Sequence, residues 1–251
     1  MTFKRPKIMG ILNVTPDSFS DGGQFGSLDM TVRGALSLLE AGADILDIGG
    51  ESTRPGAQEV SVREEINRTV PVIAALRDAT KDFDNDPLIS IDTRKPEVAE
   101  AAIHAGADIW NDVTGLTFDA GSVDMAAKLG CPLILMHIQG SPETMQDNPD
   151  YGADAVGDIM AWLAARIDVC EAAGIERDLI TLDPGVGFGK RHEDNIAIFK
   201  ELARFKTLGC PLLMGASRKS FIGRVDGSAS GWLARNGALE CLTRREYCTR
   251  P

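Results

Sequence analysis

The 251-residue chain has no Cys-x-x-Cys pair, only three histidines and no apolar run that approaches the ~20 residues of a membrane span. The missing thiol pairs exclude a zinc ribbon. The cysteines (Cys131, Cys170, Cys210, Cys241 and Cys248) are odd in number, unlike a secreted disulfide framework, so a reducing cytoplasm is the expected compartment. The apolar run at residues 8–12 is broken by Asn13 and is too short for a signal peptide, and no membrane span is expected. Positive charge is scarce as well. Against 37 Asp plus Glu stand 26 Lys plus Arg, a net charge of −11. That balance argues against nucleic acid or an anionic membrane as the main partner, and an anionic substrate would need a local basic pocket.

Hydrophobic residues make up 43% and charged residues 25%, a globular composition that excludes disorder. No linker divides the chain, so residues 1–251 read as a single domain. Short apolar runs at residues 8–14, 45–48, 88–91, 109–110, 132–137, 179–182 and 211–214 have the look of buried parallel strands. Amphipathic stretches between them predict helices over 30–41, 61–77, 96–105, 122–129, 153–173 and 194–205, with a further helix within 228–242. Ser61-Val-Arg-Glu64 is a capping box, and Pro96 suits a first helical turn. Ala41-Gly-Ala-Asp-Ile45 recurs as Ala105-Gly-Ala-Asp-Ile109, and Leu129-Gly-Cys-Pro-Leu133 as Leu208-Gly-Cys-Pro-Leu212. Each marks a helix end, a glycine cap and the next strand, the short turn of a repeated β/α unit. The expectation is α/β, a TIM-type (β/α)8 barrel rather than a doubly wound sheet. No buried strand is evident after Met214, so the last β/α unit is doubtful or missing, and the barrel is expected to be open between its first and seventh strands.

The expected strands end in Asn13, Asp47, Asp92, Asn111, His137 and Asp183. Six polar ends on apolar runs point to one active-site rim, since barrels of this kind carry chemistry there. The glycine run 185–189 fits neither nucleotide motif. Pro184 stands where a P-loop needs its first glycine and Arg191 where it needs Ser or Thr, and the dinucleotide spacing fails by one residue. Several residues have blander readings. His104 reads as structural, His192 as exposed, and Lys190 and Arg191 as solvated loop charges. Trp110, Cys131 and Cys210 read as core. His137 stays open between pocket and strand end, Asp47 between loop orientation and substrate contact, Asp17 and Asp21 between lid and turn, and Arg218 between site and internal pairing.

Six segments together resemble the dihydropteroate synthase family: Asn13-Val-Thr-Pro-Asp-Ser-Phe19, Asp47-Ile-Gly-Gly-Glu-Ser-Thr-Arg-Pro-Gly56, Ile91-Asp-Thr93, Asn111-Asp112, Asp183-Pro-Gly-Val-Gly-Phe-Gly189 and Ser217-Arg-Lys-Ser-Phe221. They fall in the family's order from about residue 7 to 223. The resemblance implies a cytoplasmic homodimeric barrel that joins 6-hydroxymethyl-7,8-dihydropterin pyrophosphate to 4-aminobenzoate in folate synthesis, with sulfonamides as inhibitors. It implies that Asp92, Asp183 and Lys219 are catalytic, and that these residues with Asn111 line the pterin site. It places Thr53, Arg54, Pro55, Phe188 and Ser220 at the aminobenzoate and Asn13 on Mg²⁺. A folate-binding methyltransferase domain shares the pterin-reading Asp and Asn, but Ser-Thr-Arg-Pro and Ser-Arg-Lys-Ser favour the synthase. From about residue 224 to 251 the sequence is atypical. The family's Arg-x-His pyrophosphate motif is absent, and a truncated or frame-shifted gene end is one explanation. A non-catalytic pterin-binding chain is the reading that this departure favours.

Overall fold

The computed structural model describes residues 5–14, 23–52, 58–83, 86–140, 144–145, 149–217, 219 and 239–243, with backbone alone for 23–27 and 239–243. Eight strands form a closed barrel in chain order. They are β1 (Lys7–Asn13), β2 (Ile45–Gly49), β3 (Leu88–Asp92), β4 (Ile109–Asp112), β5 (Leu133–Met136), β6 (Ile180–Asp183), β7 (Leu212–Met214) and β8 (Leu239–Thr243). The crossovers carry α1 (Gly23–Glu40), α2 (Val62–Thr80), α3 (Pro96–His104), α4 (Ser122–Leu129), α5 (Ala155–Ala172), α6 (His192–Lys200) and α7 (Leu202–Phe205). The expected local signals operate. The Ser61 hydroxyl accepts from the Glu64 N–H at 3.2 Å, and Pro96 opens α3. Gly42, Gly106, Gly130 and Gly209, the glycines of the two sequence echoes, all have positive φ.

Strands β1 to β7 are parallel, as the β-α alternation predicts. The end of the chain departs from expectation. Strand β8 closes the barrel and is antiparallel to both β1 and β7. The expected opening between the first and seventh strands is therefore bridged, and from Leu239 the segment expected as helix is strand. The physical reason is the pair of unpaired edges left by seven parallel strands: any extended segment that reaches them gains backbone hydrogen bonds on both sides, whatever its direction. The expected helix over 194–205 is also interrupted, at Glu201 between α6 and α7.

Alternation along each strand separates two cores. Outward residues such as Leu46, Ile48, Ile89, Ile91, Trp110 and Leu182 pack against Val72, Ile73 and Leu76 of α2 and Ile159 and Leu163 of α5. Trp110 is fully buried and donates Nε1–H to the Thr93 carbonyl at 2.7 Å, so it is core as expected. Cys131 and Cys210 are buried too, and burial pushes both thiols up to about 11. Inward residues Met9, Ile45, Ile109, Ile134 and Leu213 form the barrel interior. Among the described residues no helix is long and apolar enough to cross a membrane.

Candidate active site

Register builds the rim. Asn13 pairs with Gly49, Gly49 with Asp92 and Asp92 with Asn111, so these four positions share one level across β1 to β4. A Cβ added to Gly49 would lie 3.5 Å from Asp92 Oδ2 and 3.7 Å from Asn13 Oδ1. Glycine there lets a carboxylate and a carboxamide oxygen converge over the strand end. Asn13 is exposed, whereas Asn111 is buried.

Asp47 is not on this rim. It shares a level with Ile11 and Ser90, one layer deeper, because residues two apart on a strand face the same way. From there it accepts a hydrogen bond from Asn111 Nδ2 at 3.1 Å and so orients the amide above it. Burial pushes the Asp47 carboxyl up to about 6, offset in part by the neighbouring Ser90 hydroxyl and by Asn111. Even so, Asp47 Oδ1 and Ser90 Oγ have no partner with good hydrogen-bond geometry. A carboxyl raised in this way stabilises the fold fully below its unfolded value, about 3.9, and loses that contribution as pH rises through about 6. Asp47→Asn keeps an acceptor for Asn111 and removes the buried charge. It should raise Tm at pH 8 by several degrees, with the gain shrinking towards pH 5; calorimetry that finds equal shifts at both pH values would refute this.

The opposite side of the rim comes from β6 and its glycine loop. Asp183 is 6% exposed, and its Oδ1 accepts the Gly185 N–H at 2.7 Å. Burial raises its pKa, while the Gly185 N–H and the charges of Lys219 and Lys190 oppose that rise. Lys219 Nζ lies 4.1 Å from the centre of the Phe188 ring, a cation–π contact that brings these two expected site residues together. The loop reaches this position because Gly185 and Gly189 have positive φ and no side chain: a Cβ on either would run into the carbonyl of His137 or of Gln139.

Lys190 differs from its sequence reading, and His137 matches one of its two open readings. Lys190 is not a solvated loop charge; it is 3% exposed and contacts His137 Nδ1 at 3.0 Å. His137 is a buried strand-end residue whose ring packs edge-on to Trp162 at 5.1 Å. Arg191 is partly exposed and pairs with Asp194 at 2.8 Å. Thr53, Arg54, Pro55, Ser220, Asp17, Asp21 and Arg218 lie outside the described residues.

Sequence reasoning missed a charged cluster behind the second motif. Glu51 accepts the Val60 N–H at 2.8 Å and pairs with Arg94 and Lys95, each at 3.0 Å. Lys95 also meets the fully buried Glu65 at 2.6 Å. Burial pushes Glu51 up, but the Val60 N–H, Arg94 and Lys95 outweigh it and hold the carboxyl below its usual range. The available signal was Arg94-Lys95, two and three residues after the rim carboxylate Asp92.

A barrel whose strand C-termini gather buried carboxylates, an oriented amide and a lysine over a phenyl ring belongs to the α/β-barrel enzymes with a small-molecule site in the mouth. Comparison narrows the class. The profile of the family described as pterin binding enzyme matches residues 9–245, and so runs into the segment beyond residue 224. The dihydropteroate synthase of Synechocystis is 50% identical over 222 residues, which cover 88% of this chain and 75% of that protein. The Escherichia coli K12 dihydropteroate synthase is 46% identical over 225 residues, 90% of this chain and 77% of that one. A crystal structure of Yersinia pestis dihydropteroate synthase with a sulfonamide drug complex has a TM-score of 0.80 at 45% identity, covering 92% of this chain and 81% of that one. Xanthomonas albilineans dihydropteroate synthase in complex with 7,8-dihydropteroate has a TM-score of 0.76 at 41% identity, with 91% and 79% covered. The chain belongs to the pterin-binding enzyme family, and the relatives it matches there are dihydropteroate synthases.

Proposed function

We propose that the chain is a dihydropteroate synthase. It joins 6-hydroxymethyl-7,8-dihydropterin pyrophosphate to 4-aminobenzoate, forming 7,8-dihydropteroate and releasing pyrophosphate. The observation that carries this reading is Asp183, a buried carboxylate in the barrel mouth facing two lysines, in a chain half identical to a named synthase. A pterin presents an amide N–H beside an amino group, and a carboxylate accepts from both. Asp183 fills that role. Asn111, its amide set by Asp47, and Asp92 line the rest of the ring, and Lys219 donates to it. Phe188 forms a wall of the aminobenzoate pocket, with Thr53, Arg54, Pro55 and Ser220 completing it.

In the reaction the bond from the pterin methylene carbon to the pyrophosphate oxygen breaks, and a bond to the aniline nitrogen forms. The nitrogen then loses a proton to solvent. The aniline is neutral at pH 7, so the chain's contribution is positioning and electrostatics rather than a strong base. Among the described residues no group of three or more His, Cys, Asp or Glu could hold a metal. The oxygens of Asn13 and Asp92 over Gly49 fit a hard cation that keeps most of its waters, as Mg²⁺ does. Asn13 would hold that ion, which when bound offsets charge on the departing pyrophosphate. A homodimer in the cytoplasm, inhibited by sulfonamides, completes the reading.

A second reading has its own support. Strand β8 runs antiparallel to both of its neighbours instead of parallel, so a pterin site without a pyrophosphate clamp is the competing function. One assay separates the two. The 251-residue chain is incubated with both substrates and Mg²⁺, with Asp183→Ala as control, and dihydropteroate and pyrophosphate are measured. Magnesium-dependent turnover that vanishes in the control supports the synthase. Pterin binding with no product rejects it in favour of the second reading.

A further inference from the structure

Lys190 is buried, and the chemistry above does not use it. Its ammonium makes three contacts: His137 Nδ1 at 3.0 Å, the His137 carbonyl at 3.2 Å and the Phe188 carbonyl at 2.9 Å. Protonated, a lysine has three N–H donors and this set occupies all of them; burial lowers its pKa to about 7, with the Asp183 charge opposing the fall. His137 follows β5 and Phe188 lies in the loop after β6, so one cation ties two neighbouring strand-end loops together. Gly185 makes room for it, since a Cβ there would lie 3.2 Å from Nζ. Tyr151 pins the same loop from the other side by donating its hydroxyl to the Gly189 carbonyl at 2.7 Å. The Phe188 ring in turn seats Lys219, whose Cδ would lie 3.1 Å from a Cβ on Gly187.

We propose that Lys190 is a positioning residue for the aminobenzoate half of the reaction, holding the Phe188 wall in place at the mouth of the barrel. This rests on the synthase reading. The side chain touches no substrate and acts through the Phe188 backbone. Burial pushes the His137 imidazole down to about 3, with the Lys190 charge adding to the effect, so the ring stays neutral and its Nδ1 accepts.

Lys190→Met removes the three donors at similar length, and Lys190→Gln returns two of them without the charge. In the full chain, Lys190→Met should raise KM for 4-aminobenzoate about tenfold or more and leave KM for dihydropterin pyrophosphate within about threefold, with Lys190→Gln in between. Nitrogen-15 NMR of His137 gives a readout that needs no turnover. Wild type should show the Nε2–H tautomer alone, and Lys190→Met a mixture. If wild type makes no product, the synthase reading fails. Calorimetric titration of 4-aminobenzoate into the chain with pterin and pyrophosphate then replaces KM, and the NMR signature still reports the contact. The proposal is overturned if both substrate constants move together, if neither moves, if the His137 tautomer is unchanged, or if neither variant folds, which would make the lysine a requirement of the fold alone.

Discussion

Asp183→Asn should lower kcat/KM by about a thousandfold and weaken pterin binding to a similar degree. The change preserves size and removes the second acceptor, so one pterin N–H donor faces an amide N–H₂. Two charge-assisted hydrogen bonds at about 1.5–3 kcal/mol each set the scale. The variant also removes the negative charge that acts on both Lys190 and Lys219, which weakens the loop that carries Phe188. The carboxylate is the form that binds, and burial raises its pKa. Wild-type pterin affinity should therefore begin to fall on acidification above the usual carboxylate range, and the variant should lack that fall. Calorimetric titration across pH together with steady-state rates checks both statements. A pterin affinity within about threefold of wild type would remove Asp183 from the site.

Much of this site could be read from the chain, because parallel strands hold their ends at one level. Asn13, Asp92, Asn111 and Asp183 close apolar runs, and register brings the first three to a common row. Asp47 belongs to the same run as Gly49, and the two-residue period of a strand puts it a layer below the rim; the apolar neighbours alone did not distinguish the two depths. Lys190 was misread because its burial depends on distant residues. Only the fold brings the His137 carbonyl and ring to it, and only two glycines let the loop fold back that far. The eighth strand was illegible for a different reason. Residues 239–243 have no alternating or continuous apolar pattern to set them apart, and their pairing comes from two open edges more than 190 residues apart in sequence. Charge clusters such as Glu51, Lys95 and Glu65 are hidden in the same way, since a helix, a loop and a strand end must meet before they exist.

That cluster sets the second large effect. Lys95→Met should destabilise the chain by about 3–5 kcal/mol, which for a protein of this size lowers Tm on the order of 10 °C. Lys95 Nζ sits between Glu51 Oε1 at 3.0 Å and Glu65 Oε2 at 2.6 Å, and the Lys95 and Glu65 side chains are 4% and 0% exposed. Without the cation two carboxylates remain buried, one of them Glu65, whose Oε1 already lacks a partner. Glu51 keeps Arg94, so most of the loss falls on Glu65. A second change at Glu65 separates charge from packing. If the loss comes from the stranded carboxylate, Glu65→Gln added to Lys95→Met should recover more than half of it, whereas lost packing would make the two changes additive. The cluster also reaches the chemistry. Glu51 holds the Val60 N–H, which tethers residues 51 and 60 on either side of the segment that contains Thr53, Arg54 and Pro55. The single variant should therefore raise KM for 4-aminobenzoate at temperatures well below its melt, and Glu65→Gln should leave that defect in place because it does not restore the Lys95–Glu51 contact. Thermal melts of the four members of the cycle, with substrate constants for each, test the argument; a Lys95→Met melt that matches wild type would end it.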